Sequence, residues 1–267
     1  EEPTPFVGWE QLEQEVRQDI PGIYLTVRDK DGKVVNRVKG TNEQGFNRVN
    51  WELDHADKSG IMLEDSRGGS GNLVTTGEYS VSLDLYENGS MRQLAEPEVF
   101  QVISLAEGAL KGASNEEIEE FRKEDENFAQ KLTAANNVLQ RNLKKVDAMR
   151  SALEKAPNFN NETFTALHEA KEQLRDLDKA LNGDEVKGEV GERSDPTPRD
   201  AGYIASSALN STYGPTANHK AALERAKKQL DRISAEIKEI NQMVIPELEK
   251  QLQSAGAPWI EGQEIPD

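Results

Sequence analysis

Between residues 21 and 102 apolar side chains recur at every second position. Ile23, Leu25 and Val27 alternate with Tyr24, Thr26 and Arg28, which predicts a strand carrying three aliphatic side chains on one face. Asp29-Lys30-Asp31-Gly32 predicts a turn, and Val34, Val35 and Val38 a second strand. Residues 46–53 predict a third, with Val49, Trp51 and Leu53 on one face and Trp51 as the core tryptophan. Tyr79, Val81, Leu83 and Leu85 alternate with Ser80, Ser82 and Asp84. Asn88-Gly89 then gives a hairpin signal leading into strands at 91–94 and 99–102. Short strands spaced by turns over about 90 residues predict a small β-sandwich at 21–110. Before it, Phe6, Trp9, Leu12 and Val16 have helical spacing, so 1–20 is an N-terminal segment with a helix that either lies on the sandwich or ends a preceding domain. The glycine-rich loop 66–71 is expected to be mobile.

Near residue 110 the period changes from two to three-and-a-half. Ser114-Asn115-Glu116-Glu117 has capping-box spacing. Ile118, Phe121, Phe128, Leu132, Ala135, Leu139, Val146, Met149 and Leu153 then form a heptad seam, with Asp125 and Asn142 filling the two remaining positions. A partly exposed seam position is the reading taken for these two, with a buried polar group that fixes register as the alternative. Pro157 ends this helix. Phe164, Leu167, Leu174, Leu177 and Leu181 mark a shorter one, stopped by Asn182-Gly183. Residues 183–196 read as a mobile loop. Thr197-Pro198-Arg199-Asp200 opens a helix through Ile204 and Leu209, closed by Tyr213-Gly214-Pro215. From Thr216 the seam resumes as Leu223, Ala226, Leu230, Ile233, Ile237, Ile240 and Val244, with a kink expected at Pro246 before Leu248 and Leu252.

The first and last helices, about 40 and about 36 residues, span roughly 55–60 Å, and each middle helix about half of that. Residues 111–255 therefore predict an antiparallel three-helix bundle with a broken second helix, a four-helix bundle being the alternative. The fold class is α+β in two segregated domains, followed by a tail at 256–267.

Composition narrows the chemistry. Among 267 residues, 49 acidic groups outweigh 32 basic ones, for a net charge of −17. That excess opposes binding to nucleic acid and to anionic membranes, and no apolar run is long enough to span a bilayer. Residues 1–110 hold 20 acids and 10 bases, net −10; the remainder holds 29 and 22, net −7. Without cysteine there is no disulfide and no thiolate chemistry. The first residue is Glu rather than Met, which predicts a processed chain or a fragment of a longer one.

Candidate sites are few. Asp54, His55, Asp57, Glu64 and Asp65 gather around one loop, where a solvated acidic edge is weighed against a hard-cation site, with Asp54, Asp57 and Asp65 as the ligands in question. His168 and His219 lie on different helices without HExxH spacing, and neither GxSxG nor GxxxxGK[ST] occurs. Asn88, Asn161 and Asn210 each begin an N-x-S/T sequon. Trp259 is expected to dock its tail onto its own domain, with partner binding as the alternative. No catalytic residue, cofactor site or metal site is assigned.

Pro21-Gly22-Ile23-Tyr24-Leu25-Thr26-Val27-Arg28-Asp29, Gly45-Phe46-Asn47-Arg48-Val49-Asn50-Trp51-Glu52-Leu53 and Gly77-Glu78-Tyr79-Ser80-Val81-Ser82-Leu83 resemble the immunoglobulin-like module that follows the propeller in bacterial sortilin-type, BNR-repeat "glycosyl hydrolase-like" proteins. The same pattern is similar to a domain of flagellar hook-capping proteins. Ala255-Gly256-Ala257-Pro258-Trp259 resembles the C-terminal end of the propeller proteins. The resemblance implies an Ig/fibronectin-like sandwich, export to the periplasm or beyond, and an upstream propeller of the same polypeptide as partner. It implies a non-catalytic accessory or structural role that docks or spaces that propeller. A carbohydrate- or protein-binding module is the alternative, and an enzyme acting through carboxylates is disfavoured. No Asp-box repeat occurs, so no catalytic residue is carried over.

Overall fold

The computed structural model describes residues 7–63, 69–105, 111–158, 160–192 and 195–265. The chain is α+β and divides into a sheet unit, residues 1–57 and 69–110, and a helical unit, residues 58–68 and 111–267.

The sheet unit is built on β1 (Gly22–Asp29), β2 (Val34–Lys39), β3 (Gly77–Glu87), β4 (Ser90–Gln93) and β5 (Glu98–Val102), all antiparallel. The order is β2-β1-β3, with β4 and β5 sharing the far edge of β3. The Asp29 carboxylate accepts the amides of Asp31 and Lys33 and so shapes the first hairpin. Asn88 and Gly89, at φ 50° and 76°, supply the two left-handed residues that a tight two-residue hairpin needs. Register sets Ile23, Leu25 and Val27 opposite Leu85, Leu83 and Val81 on one face, and Tyr24, Thr26 and Arg28 opposite Asp84, Ser82 and Ser80 on the other.

The strand expected at 46–53 does not form. Residues 46–52 pair with no strand, Leu53 takes φ 58° at the end of the segment, and beyond it among the described residues lies the isolated bridge Asp54–Leu73. Trp51 still fills the core without a strand to hold it. Its ring meets Tyr79 and Phe100 edge-on at 5.8 and 5.9 Å, and its Nε1 donates to the Asp54 carbonyl at 2.9 Å. The second layer over the apolar face is thus irregular chain rather than a second sheet. The N-terminal helix, α1 (Trp9–Arg17), buries none of its residues. The loop at 66–71 is described only from Gly69 onward, and there the Gly69 amide donates to Asp57 Oδ2 at 2.6 Å.

In the helical unit α2 (Asn115–Leu153) opens on the Ser114–Glu117 capping box, and α3 (Asn161–Asn182) on Asn160, whose side chain accepts the Thr163 amide. Gly183, at φ 98°, ends α3. Part of the segment read as a mobile loop is a helical turn, α4 (Glu185–Glu189), because Asp184 caps it by accepting the Lys187 amide; residues 193–194 lie outside the described ones. α5 (Pro198–Ser206) runs into a 3-10 turn (Ser207–Asn210). α6 (Ala217–Glu239) continues through a π-turn (Ile240–Val244) into α7 (Ile245–Ser254).

Side-chain pairs give the directions. Asp147–Lys171, Gln140–Asp178 and Asn136–Asn182 run α3 antiparallel to α2. Glu117–Lys220, Glu124–Lys227 and Lys145–Glu249 run α6 and α7 parallel to it. Phe128 against Gly202 and Ile118 against Gly214 place the α5 stretch antiparallel to α2 as well. The seam residues interlock into one core, and α2 touches α3, α5, α6 and α7. With neighbours on so many sides most of its seam is enclosed, Ile118 and Leu132 being only partly buried. Asp125 and Asn142 are therefore buried, at 6% and 1% exposure, contrary to the partly exposed position expected of them.

Candidate functional site

The acidic loop uses its polar groups internally. Asp54 Oδ1 accepts from Asn36 Nδ2 at 2.9 Å, Asp57 takes the Gly69 amide, and the His55 amide donates to the Asn72 carbonyl at 2.8 Å. Glu64 and Asp65 lie outside the described residues, and among the described residues no group of three His, Asp or Glu side chains is placed to hold a metal ion. His219 closes a capping box at the start of α6, its Nδ1 3.2 Å from the Thr216 amide. His168 lines a small groove of about 300 Å³ between α2 and α3, beside Asp147, Lys171 and the Phe164 ring, over which the Arg150 guanidinium sits at 5.6 Å.

Of the sequon residues, Asn88 forms the hairpin tip, Asn161 is the first residue of α3, and Asn210 ends the 3-10 turn. The tail docks through Ile260, which joins the helical core after Gly256 (φ 75°) turns the chain away from α7. Trp259, the residue expected to dock, is 54% exposed and donates its Nε1 to the Glu264 carbonyl within the tail. The heptad count ended at Leu252, so nothing in the pattern singled out Ile260.

A cleft of about 910 Å³ lies in the helical unit where α3 gives way to α5. Leu177, Ile233 and Ile240 form part of its lining, and Asp176, Lys179, Asp184 and Asp195 charge it. Lys179 Nζ pairs with Asp184 Oδ2 at 2.8 Å. That hydrogen bond raises the Lys179 pKa, and the nearby Asp176 and Asp195 carboxylates add to the effect. The Asp184 carboxyl is held low by Lys179 first and by the Lys187 amide second. The first and last residues of the π-turn, Ile240 and Val244, also face the cleft. Neither histidine on the helices lines it.

Two buried polar constellations lie elsewhere. On α2, Arg122 is buried between Glu119 (2.7 Å) and Glu126. Beside them the Asp125 carboxyl is pushed up to about 6 by desolvation first and by the Glu126 charge second. On the sheet, Asp84 accepts the hydroxyls of Thr26 and Ser82, and Ser82 Oγ in turn accepts from Arg28 Nη1 at 2.8 Å. Thr26, Ser82 and Asp84 are all buried, on the face opposite the apolar core. In the sequence these residues are only the polar half of an alternation, because β1 and β3 must pair before they meet. No family model, curated protein or solved structure matches the chain.

Proposed function

We propose that the chain is a non-catalytic accessory region of an exported bacterial multidomain protein, acting in the periplasm or outside the cell. In this reading the sheet unit is an Ig-like sandwich with an irregular second layer. It docks against an upstream propeller of the same polypeptide, while the helical unit, a three-helix bundle with a broken second helix, acts as the spacer. One observation carries the reading: the disparity of the two cores. Among the described residues 29 buried apolar side chains form the helical core, whereas the buried apolar side chains of the sheet core are Val27, Val35 and Tyr79 alone. Trp9, Val16, Ile20, Phe46 and Ile103 of that unit stay exposed. So small a core offsets little of the chain entropy lost on folding, and a neighbouring domain that covers those side chains supplies the deficit.

An enzyme acting through carboxylates gains no support, since Asp125, with its raised proton affinity, sits in the helix seam and not in the cleft. The test is hydrogen exchange on this chain alone and on the full-length polypeptide. Amides of β1 and β3 are expected to exchange much faster in the isolated chain. Equal protection in both, or turnover of a glycoside by this chain, would overturn the proposal.

A further inference from the structure

The polar face of the sheet has an architecture of its own. Read across the strands, Lys39, Tyr24 and Asp84 form one row, Arg37, Thr26 and Ser82 the next, then Arg28 and Ser80. At one end Gly22 stands opposite Tyr86. The Tyr24 ring lies over that glycine, close enough that a Cβ there would be 2.9 Å from Tyr24 Cε2. Tyr86 borders the same end, its hydroxyl donating to Asp19 Oδ2 at 2.7 Å. The chain of bonds from Arg28 through Ser82 to Asp84 ties one guanidinium to the floor of the face.

The charges are the telling part. Arg28, Arg37 and Lys39 form no ion pair among the described residues, although acids outnumber bases two to one in residues 1–110. Arg28, Arg37 and Lys39, without a carboxylate partner among the described residues, set a cationic edge along β1 and β2 beside the buried Asp84. Phenol rings accept the C–H faces of pyranose rings, and guanidinium groups accept carboxylates through two parallel hydrogen bonds. We propose that this face binds a saccharide bearing carboxylates, a uronic-acid glycan, with Tyr24 and Tyr86 as the platform and Arg28, Arg37 and Lys39 as the anion-binding edge. The proposal is independent of the docking reading, which uses apolar side chains, so either can fail alone.

Calorimetric titration of the full chain with hexagalacturonate, with maltohexaose as the neutral control, tests it. Saturable binding of the uronide alone is expected, weakened at least tenfold by the Arg37→Ala, Lys39→Ala double change and by Tyr24→Ala, and left unchanged by Arg48→Ala. Arg37 and Lys39 are exposed, so their variant keeps the fold even where Tyr24→Ala disturbs it. The proposal is overturned by absence of saturable binding, by equal binding of maltohexaose, or by indifference to the double change. It is equally overturned if single-stranded DNA or phosphatidylglycerol vesicles bind as tightly as the uronide.

Discussion

Asp125 is a carboxyl whose burial works against its charge. Its pKa is raised to about 6, so the folded state holds the proton more firmly than the unfolded chain does. The resulting stability is complete below about pH 4 and is lost as pH rises through about 6. Asp125→Asn, which keeps the shape and removes the charge, is expected to stabilise the helical unit at neutral pH by on the order of 2 kcal/mol and to change little at about pH 4. Urea titrations followed by helical circular dichroism at the two pH values check this, and an unchanged midpoint at neutral pH would contradict it. Gly202 gives a second case. Alanine normally strengthens a helix interior by about 1 kcal/mol over glycine. At Gly202, however, a Cβ would stand 2.4 Å from the Phe128 ring, itself packed in the core. Gly202→Ala is expected to reverse that sign and cost about 1–3 kcal/mol, read from the same unfolding curves.

The last long helix shows how an element absorbs a conflict in its own sequence. The seam advances by fours and threes to Ile240, then takes five residues to reach Ile245 rather than four to reach Val244. The π-turn supplies the extra residue through the Ile245 amide, which bonds to the Ile240 carbonyl. It directly precedes Pro246, which has no amide to continue the ordinary ladder. Ile245→Ala is accordingly expected to cost about 2–5 kcal/mol and Val244→Ala less than about 1 kcal/mol. The reverse ranking in denaturant unfolding would show an uninterrupted α-helix in solution.

Much at this scale was legible in the sequence. The caps at Ser114 and Thr197, the stop at Asn182-Gly183 and the seam itself all follow from local chemistry. The missing strand at 46–53 was not legible, because its alternation is genuine and no residue type in it signals that it has no strand to pair with. Nor was the polar face, whose members Thr26 and Asp84 meet only across 58 positions of chain. The burial of Asp125 was likewise hidden, since a heptad count says which stripe packs and not how many neighbours enclose it.

At the scale of the whole molecule the two units are unequal in what holds them. The helical core is continuous from Phe121 to Ile260, whereas the sheet unit has three buried apolar side chains among its described residues. Calorimetry of this chain is expected to show two transitions, the sheet unit melting first, with a sheet-specific near-ultraviolet signal from Trp51 lost before the helical signal. A single cooperative transition seen by both probes would refute the inequality.

The parallel course of α2 and α6–α7 has a mechanical corollary. Because α3 returns antiparallel to α2 and α6–α7 run parallel to it, the chain enters this unit at one end of α2 and leaves it at the other. Here the backbone near Ala113 bonds to Tyr213 at one end, and Ala255 bonds to Asn158 at the opposite end, with the 39 residues of α2, about 58 Å, between them. Tension applied through the chain would load the limbs lengthwise, so that Leu139, Leu174 and Leu230 must slide past their neighbours together instead of peeling apart one turn at a time. Such a lengthwise arrangement is expected to resist stretching more than peeling.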